Sequence, residues 1–341
     1  MRKILASLLV NVGDVIMMTS ALDLVRRHYA ESGGSHIAVL VRPDAVELLD
    51  GSPAVDEIIV YPYKSGSPFQ RLGELRRRIN GGGFDLFLSL DRRPRGAAAA
   101  FLAGIKERLG PDILFAGARP KFWTGLLFTK TVPMTPEECV GSLVEMFQLV
   151  VRRGLGAEGR GRISLPPVTP ERDRKAAELL GDSGGRPVVG LCVRTNDPGK
   201  TWPAKGFIRL MNRLDAELGA FMYVTGGPGD RGYVAEMLKA GPAGVVNLAG
   251  RTSLIDIPAL AGRSDLCVTL DNGAAHLMAN SRLKNLICLL QATKPQILID
   301  SMPRAHFLSF PREPRQDFLL NEEADLVFQT AADLLKKFRN N

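Results

Sequence analysis

Short apolar runs recur along this chain, each followed by a polar turn and then a segment of helical periodicity. "KILASLLV" leads into "GDVIMMTSALDLVRRHYA", "HIAVLVR" into "PDAVELLDG", and "VDEIIVYP" into "FQRLGELRRRIN", before "FDLFLSLD". Strands that are apolar on both faces and alternate with amphipathic helices specify a parallel sheet covered on both sides. Its crossovers are right-handed. After a less regular stretch and the segment "EECVGSLVEMFQLVVRRGL", read as one long helix, comes "GAEGRGRISLPPVTPE", the best linker in the chain. The pattern then starts again with a helix near 170–181 and the runs "RPVVGLCVR", "AFMYVTGG", "VVNLAG", "DLCVTLD" and "NLICLL", the last read as the final strand. The reading is an α/β protein with two open parallel-sheet domains, residues 1–165 and 166–320. A helix over 321–341 is free to pack back on the N-terminal domain.

Composition narrows the partners. The 341 residues carry a net charge of +8, with 45% hydrophobic and 23% charged residues. A basic balance favours anionic ligands or surfaces over cationic ones. No long basic cluster with interleaved aromatics points to nucleic acid. Cys139, Cys192, Cys267 and Cys288 are scattered without a CxxC, so they read as reduced thiols, three of them in apolar runs. The four dispersed histidines predict no protein-built metal cage. The "MRKILASLLVNVGDV" start mimics a signal peptide, but its short run is broken by Asn11 and Asp14 and reads better as a buried first strand. No segment approaches the roughly 20 apolar residues of a membrane span.

In open α/β sheets, ligands bind beyond the carboxyl ends of the strands. The polar oddities of this sequence all fall there, and two such edges are expected to face a cleft. "NVGDV" follows the first strand, with Asp14 either a helix cap or a functional carboxylate. Its single glycine lacks the G-x-G-x-x-G of a dinucleotide turn. "RTNDPGKTWP" brings Arg194 and Lys200 to the edge of the second domain, two cations suited to phosphate. "VTGGPGDRG" offers Gly226 and Gly227 for close backbone approach and Asp230 for ribose hydroxyls or a cap. "VTLDNGAAHL" runs a buried strand into Asp271, Asn272 and Gly273, then a helix carrying His276, whose free N–H groups make an anion site.

These stretches together resemble glycosyltransferase family 9, the ADP-heptose:lipopolysaccharide heptosyltransferases. "NVGDVIMMTSAL", "VRPDAVELLDGSPAVDEIIVY", "GKTWP", "GGPGD", "NLAGRTSL" and "DNGAAHLMAN" match its motifs in order, from residue 1 to about 295. The resemblance implies a GT-B fold, two Rossmann-like domains facing across a cleft, with the acceptor on the first and the nucleotide sugar on the second. It implies inverting, metal-independent transfer of heptose from ADP-heptose to the lipopolysaccharide inner core, with no cofactor. Asp14 then matches the catalytic base, Lys200 the lysine facing the donor phosphates, and Asp230 the ribose-binding acid. Asp271, Asn272, Gly273 and His276 match the diphosphate motif. Three departures stand out: Asn272 replaces threonine, Asp230 replaces glutamate, and "LLQATKPQ" replaces an "FGxTxP"-like loop.

The chemistry agrees with the residues. Asp14 can take the acceptor proton, while Lys200, Arg194 and the Gly273 helix terminus stabilise the leaving diphosphate. The acceptor is expected to be an anionic glycolipid, met by Arg92, Arg93 and Arg95 and by Lys121 and Trp123. That mixture suits peripheral contact with the cytoplasmic face of the inner membrane, or simply a helix packed in its domain. The competing functions are transfer from another nucleotide sugar and non-catalytic nucleotide-sugar binding.

Overall fold

Every apolar run quoted above is a strand in the computed structural model, which describes residues 1–62, 66–91, 94–112, 124–310 and 317–339. They form two six-stranded sheets, each within its own unit. The first unit comprises Met1–Pro167 and Gln296–Asp300. Its strands are β1 (Arg2–Leu8), β2 (Ser35–Val41), β3 (Glu57–Val60), β4 (Leu86–Ser89), β5 (Glu107–Pro111) and β6 (Lys130–Val132). They pair in the order β3-β2-β1-β4-β5-β6, all parallel. Helices α1 (Val12–Ala30), α2 (Pro68–Asn80), α3 (Pro94–Leu102), α4 (Thr124–Leu127) and α5 (Leu143–Leu155) cover them. α1 packs on α5, while α3 packs between α2 and α4. In that second group Leu75, Ile79, Ala97 and Leu127 meet the sheet residues Leu5, Leu40, Ile59 and Phe87.

The second unit comprises Val168–Pro295 and Ser301–Asn341. In chain order it holds α6 (Pro170–Leu180), β7 (Val188–Cys192), α7 (Ala204–Leu218), β8 (Phe221–Thr225), α8 (Arg231–Leu238), β9 (Val246–Asn247) and α9 (Ile257–Gly262). There follow β10 (Leu266–Leu270), α10 (Gly273–Ala279), β11 (Leu286–Leu290), β12 (Ala305–Ser309) and α12 (Asp317–Arg339); α11 (Pro295–Leu298), between β11 and β12, falls mostly in the segment grouped with the first unit. The strand order is β12-β11-β10-β7-β8-β9, again all parallel. β10 is buried along its whole length, which is why it reads as an unbroken apolar run. α7 instead buries a stripe, Phe207, Leu210, Met211 and Leu214, at the spacing of one helical face.

Three expectations change. "NLICLL" is not the last strand: β12 follows and pairs with β11 at the sheet edge. It is only half-buried, so its apolar signal is weak. The long helix predicted from Glu137 starts only at Leu143, because Ser142 accepts the Glu145 N–H at 3.3 Å and caps it. The C-terminal helix belongs to the second unit: α12 packs along α7 and contributes Ala324, Val327, Phe328 and Ala331 to its core.

The glycine-rich linker is also less free than its composition implies. Residues 156–169 form no helix or strand, yet Gln148 grips Gly161 from both sides. Its Nε2 donates to the Gly161 carbonyl and its Oε1 accepts the Gly161 N–H, each at 3.0 Å. Arg162 N–H donates to Asp23 at 2.8 Å, and Ser164 N–H to Thr19 Oγ1 at 3.0 Å. A β-carbon at residue 161 would collide with the Ser20 carbonyl oxygen and crowd the Leu24 backbone. Since helix backbone cannot give way, Gly161→Ala should cost roughly 1–3 kcal/mol or more. A thermal melt checks this: an unchanged melting temperature would show that the segment is not held.

Candidate active site

Parallel strands deliver all their carboxyl ends to one edge. In the second sheet the chain runs outward from β7 through β8 and β9, then returns to the other side of β7 as β10. The loops after β7 and β10 therefore diverge, leaving a crevice at this switch point. Lys200 and Asp271 meet across it, Nζ to Oδ2 at 2.5 Å. Lys200 ends a short turn, Pro198–Lys200, closed by Asp197 accepting the Gly199 N–H at 2.9 Å. Asp271 is the first residue beyond β10. Thr293, in the loop after β11, donates its hydroxyl to the same Asp271 oxygen. Three loops thus meet on one carboxylate. Its side chain is 8% exposed and that of Lys200 32%, so the lysine forms the solvent-facing side of the pair.

Arg194 and Asp230 form a second cluster beside it. Arg194 Nη1 lies 3.5 Å from Asp230 Oδ1, and its guanidinium carbon sits 4.9 Å over the Tyr233 ring. Asp230 Oδ2 accepts the Gly227 N–H at 2.8 Å. Gly226 leaves room for that carboxylate, since a β-carbon there would lie 3.0 Å from Asp230 Cβ. The two glycines thus shape the turn around Asp230, and from this loop it is Gly229 and Asp230 that line the adjoining cavity. That cavity, about 570 Å³, is completed by Arg194, Thr195, Thr201 and Tyr233 among others. Asn272 ties the clusters together. Its Oδ1 accepts the Ala275 N–H at 3.0 Å as the cap of α10, and its Nδ2 donates to the Arg194 carbonyl at 3.1 Å. A threonine hydroxyl could not span both. The cap also uses a first-turn N–H that the sequence reading left for an anion.

Trp202, beside Lys200, is a structural plug. It is fully buried, with Phe207 edge-on at 4.9 Å, and its Nε1 donates to Glu323 of α12 at 2.7 Å. His276 is 2% exposed. Burial pushes its imidazole down to about 4, with the Lys200 charge adding and the Asp271 charge opposing. It sits close enough to feel both charges and is neutral at pH 7.

In the first sheet the corresponding switch point lies between β1 and β4. Asp14 is the third residue of α1 and half-buried. It is not the helix cap: that position is Asn11, whose side chain makes no capping bond and accepts instead from Arg42 Nη1 at 3.4 Å. Asp91, passed over in the sequence, pins the end of β1, accepting from Ser7 Oγ at 2.5 Å and from Leu9 N–H at 3.0 Å. Arg95 is exposed, 5.8 Å over the Tyr61 ring. Arg92, Arg93, Lys121 and Trp123 lie outside the described residues. Among the described residues no group of three or more His, Cys, Asp or Glu side chains could hold a metal ion. The four cysteines are buried and free.

The family model for glycosyltransferase family 9 (heptosyltransferase) matches residues 72–322. The chain belongs to that family. It is therefore a glycosyltransferase, and its two Rossmann-like units are the GT-B fold of the group. Lipooligosaccharide heptosyltransferase 2 of Haemophilus influenzae is 31% identical over 133 residues. That match spans 38% of this chain and only 37% of the length of that protein. A family 9 glycosyltransferase from Veillonella parvula superposes with a TM-score of 0.81 at 20% identity, over 98% of this chain and 97% of that one. The E. coli ADP-heptose lps heptosyltransferase II superposes at 0.78 with 21% identity, over 99% and 100%. Thr293 and Tyr233 are the site neighbours that sequence reasoning missed. The threonine was legible, since it survives inside the altered "LLQATKPQ" loop.

The His276 environment fixes a pH dependence. Its folded pKa lies below that of the unfolded chain, so the unfolded state binds the extra proton first as pH falls. The stabilisation is complete above pH ~6.5 and is lost progressively down to pH ~4, by roughly 3 kcal/mol. Denaturant melts between these values should flatten in His276→Gln; an unchanged slope would exclude His276 as the source.

Proposed function

We propose that this glycosyltransferase moves heptose from ADP-heptose to the inner core of lipopolysaccharide, with inversion and with protein cations neutralising the leaving diphosphate. The observation that carries the reading is the Lys200–Asp271–Thr293 cluster at the switch point, adjoining a cavity edged by Arg194 and Asp230. A bare Asp271 would repel a diphosphate. Held by Lys200 and Thr293 it is neutralised, and the pair fixes the ammonium where the phosphates arrive. The cavity takes the nucleoside, with Asp230 accepting from ribose. His276, buried and neutral, supports the diphosphate side, and Asn272 and Gly273 set the course of the loop. The likeness to the E. coli ADP-heptose lps heptosyltransferase II supports the choice of ADP-heptose and of the lipopolysaccharide acceptor. Asp14 takes the proton from the acceptor hydroxyl as its oxygen bonds to the anomeric carbon and the bond to the diphosphate breaks.

Calorimetric titration tests the donor site. ADP should bind more tightly than UDP without added magnesium, and Lys200→Met should weaken it by roughly 1.5–3 kcal/mol, about 10- to 150-fold. Tighter UDP binding would favour the competing reading, another nucleotide sugar. That reading draws on Asp230 and on Gln291, a buried side chain where the family loop has glycine.

Asp14 is tested separately. As a first-turn acid it contributes about 0.3–1 kcal/mol to α1 through the helix dipole, and asparagine keeps the shape of the side chain. Asp14→Asn should therefore melt nearly as the parent and bind ADP equally well. Transfer should fall roughly 10²- to 10⁴-fold. A fully active variant removes Asp14 as the base.

A further inference from the structure

The sequence groups Arg194 with Lys200 as two phosphate cations, yet the fold gives them different places. Lys200 sits on Asp271 at the switch point. Arg194 is instead a wall of the adjoining cavity, together with Asp230 and Tyr233. Asp230 and Tyr233 stand three positions apart where the turn Pro228–Asp230 runs into α8, so they fall on one side of the helix start. Arg194 meets both. Its Nη1 lies 3.5 Å from Asp230 Oδ1 and its guanidinium carbon 4.9 Å over the Tyr233 ring. Its backbone is held as well, since Asn272 Nδ2 donates to the Arg194 carbonyl at 3.1 Å. Tyr233 is itself anchored, packed against the core that contains Val234 and Met237 of the same helix. Burial pushes its phenol up, with the Arg194 charge opposing and the Asp230 charge adding. The ring is therefore neutral at pH 7 and meets the guanidinium as a π face, not as a counter-ion.

An arginine restrained at both backbone and side chain has given up much of its rotamer freedom before a ligand arrives. The Arg194 side chain is nonetheless 43% exposed. With one face over the ring and one edge at Asp230, the exposure that remains belongs to the opposite face and edge. A guanidinium plane stacks face-on with other planar groups. The cavity is of the size that takes a small molecule, about 570 Å³. A nucleoside seated there with its ribose on Asp230 brings its base to Arg194 as the planar partner.

We infer that Arg194, backed by Tyr233, is the platform on which the base of the donor stacks, and that it favours a purine over a pyrimidine. This rests on the proposed donor site and deepens it. The two fused rings of a purine cover more of the guanidinium than one pyrimidine ring does. Arg194 is thus a specificity residue that touches the donor, and Tyr233 is a positioning residue that acts through it.

Calorimetric titration with ADP, UDP and pyrophosphate tests the platform. Arg194→Met and Tyr233→Leu should each weaken ADP binding roughly 5- to 150-fold, the scale of one base stack. UDP should lose less, so that the preference for ADP narrows. Tyr233→Phe keeps the π face and should bind as the parent does. Pyrophosphate, which has no base, should bind parent and variants alike. Arg194→Met/Tyr233→Leu should lose no more ADP affinity than Arg194→Met alone, since the ring acts through the guanidinium. A thermal melt shows that each variant is folded at the temperature of the titration. Equal losses of ADP, UDP and pyrophosphate in Arg194→Met would make the arginine a phosphate contact and overturn the inference. So would parent-like ADP affinity in Tyr233→Leu, or an unchanged ADP-to-UDP ratio in both single variants. A parent protein that binds no ADP overturns the donor-site reading itself, before any variant is compared.

Discussion

The ion pair between Lys200 and Asp271 closes the switch point of the second sheet. A parallel sheet that winds outward on one side and then on the other must leave its central loops diverging. That gap is where a ligand fits, and also where the loops lack mutual support. Lys200 from the β7 loop, Asp271 from the β10 loop and Thr293 from the β11 loop meet on one carboxylate. Without the pair, a nearly buried charge would sit beside the neutral His276 with only a hydroxyl to hold it, a costly arrangement. The groups that stabilise the edge are thus the groups to which the proposed function assigns the diphosphate. Trp202 extends the same logic inward: next to Lys200, it anchors the loop to Glu323 of α12 and so to the rest of the unit.

The first unit meets the same topological problem with a different solution. Asp91, just beyond β4, grips Ser7 and the Leu9 backbone at the end of β1, fully within the protein. Gly96 of α3 packs so closely on Ser7 that a β-carbon would collide with its side chain. The loop that leads to Asp14 is therefore fixed from below, leaving that carboxylate at the start of α1. A rigid support and a half-exposed carboxylate suit a general base, which must hold its direction while exchanging a proton.

Much of this was legible in the sequence, because parallel strands buried on both faces leave an unambiguous apolar signature. Each quoted run became a strand, and Arg194, Lys200, Asp230, Asp271 and Asn272 all fell on one sheet edge. Short or half-exposed elements were not legible: β6 and β12 carry too few buried residues to stand out, and the buried end of β5 is Leu109, Gly110 and Pro111, with a single aliphatic side chain. Thr293 sat in a loop noticed for what it had lost, and Asp91 looked like an ordinary strand-ending acid. Its role depends on a neighbour 84 positions away.

The sequence by itself determined the class of fold, the two-unit organisation and the edge on which the polar residues would gather. These follow from local periodicity and from the rule that parallel sheets bind at their carboxyl ends. Tertiary structure alone decided which of those residues touch. Lys200 and Asp271 are 71 positions apart, and only the return of β10 alongside β7 makes them a pair. The same holds for the linker, flexible by composition yet stitched to α1 and α5 as far as Ser164, and for α12, which packs along α7. Periodicity is a property of neighbours in the chain, whereas an ion pair, a clamp or a covered face is set by strand order, which no local pattern encodes.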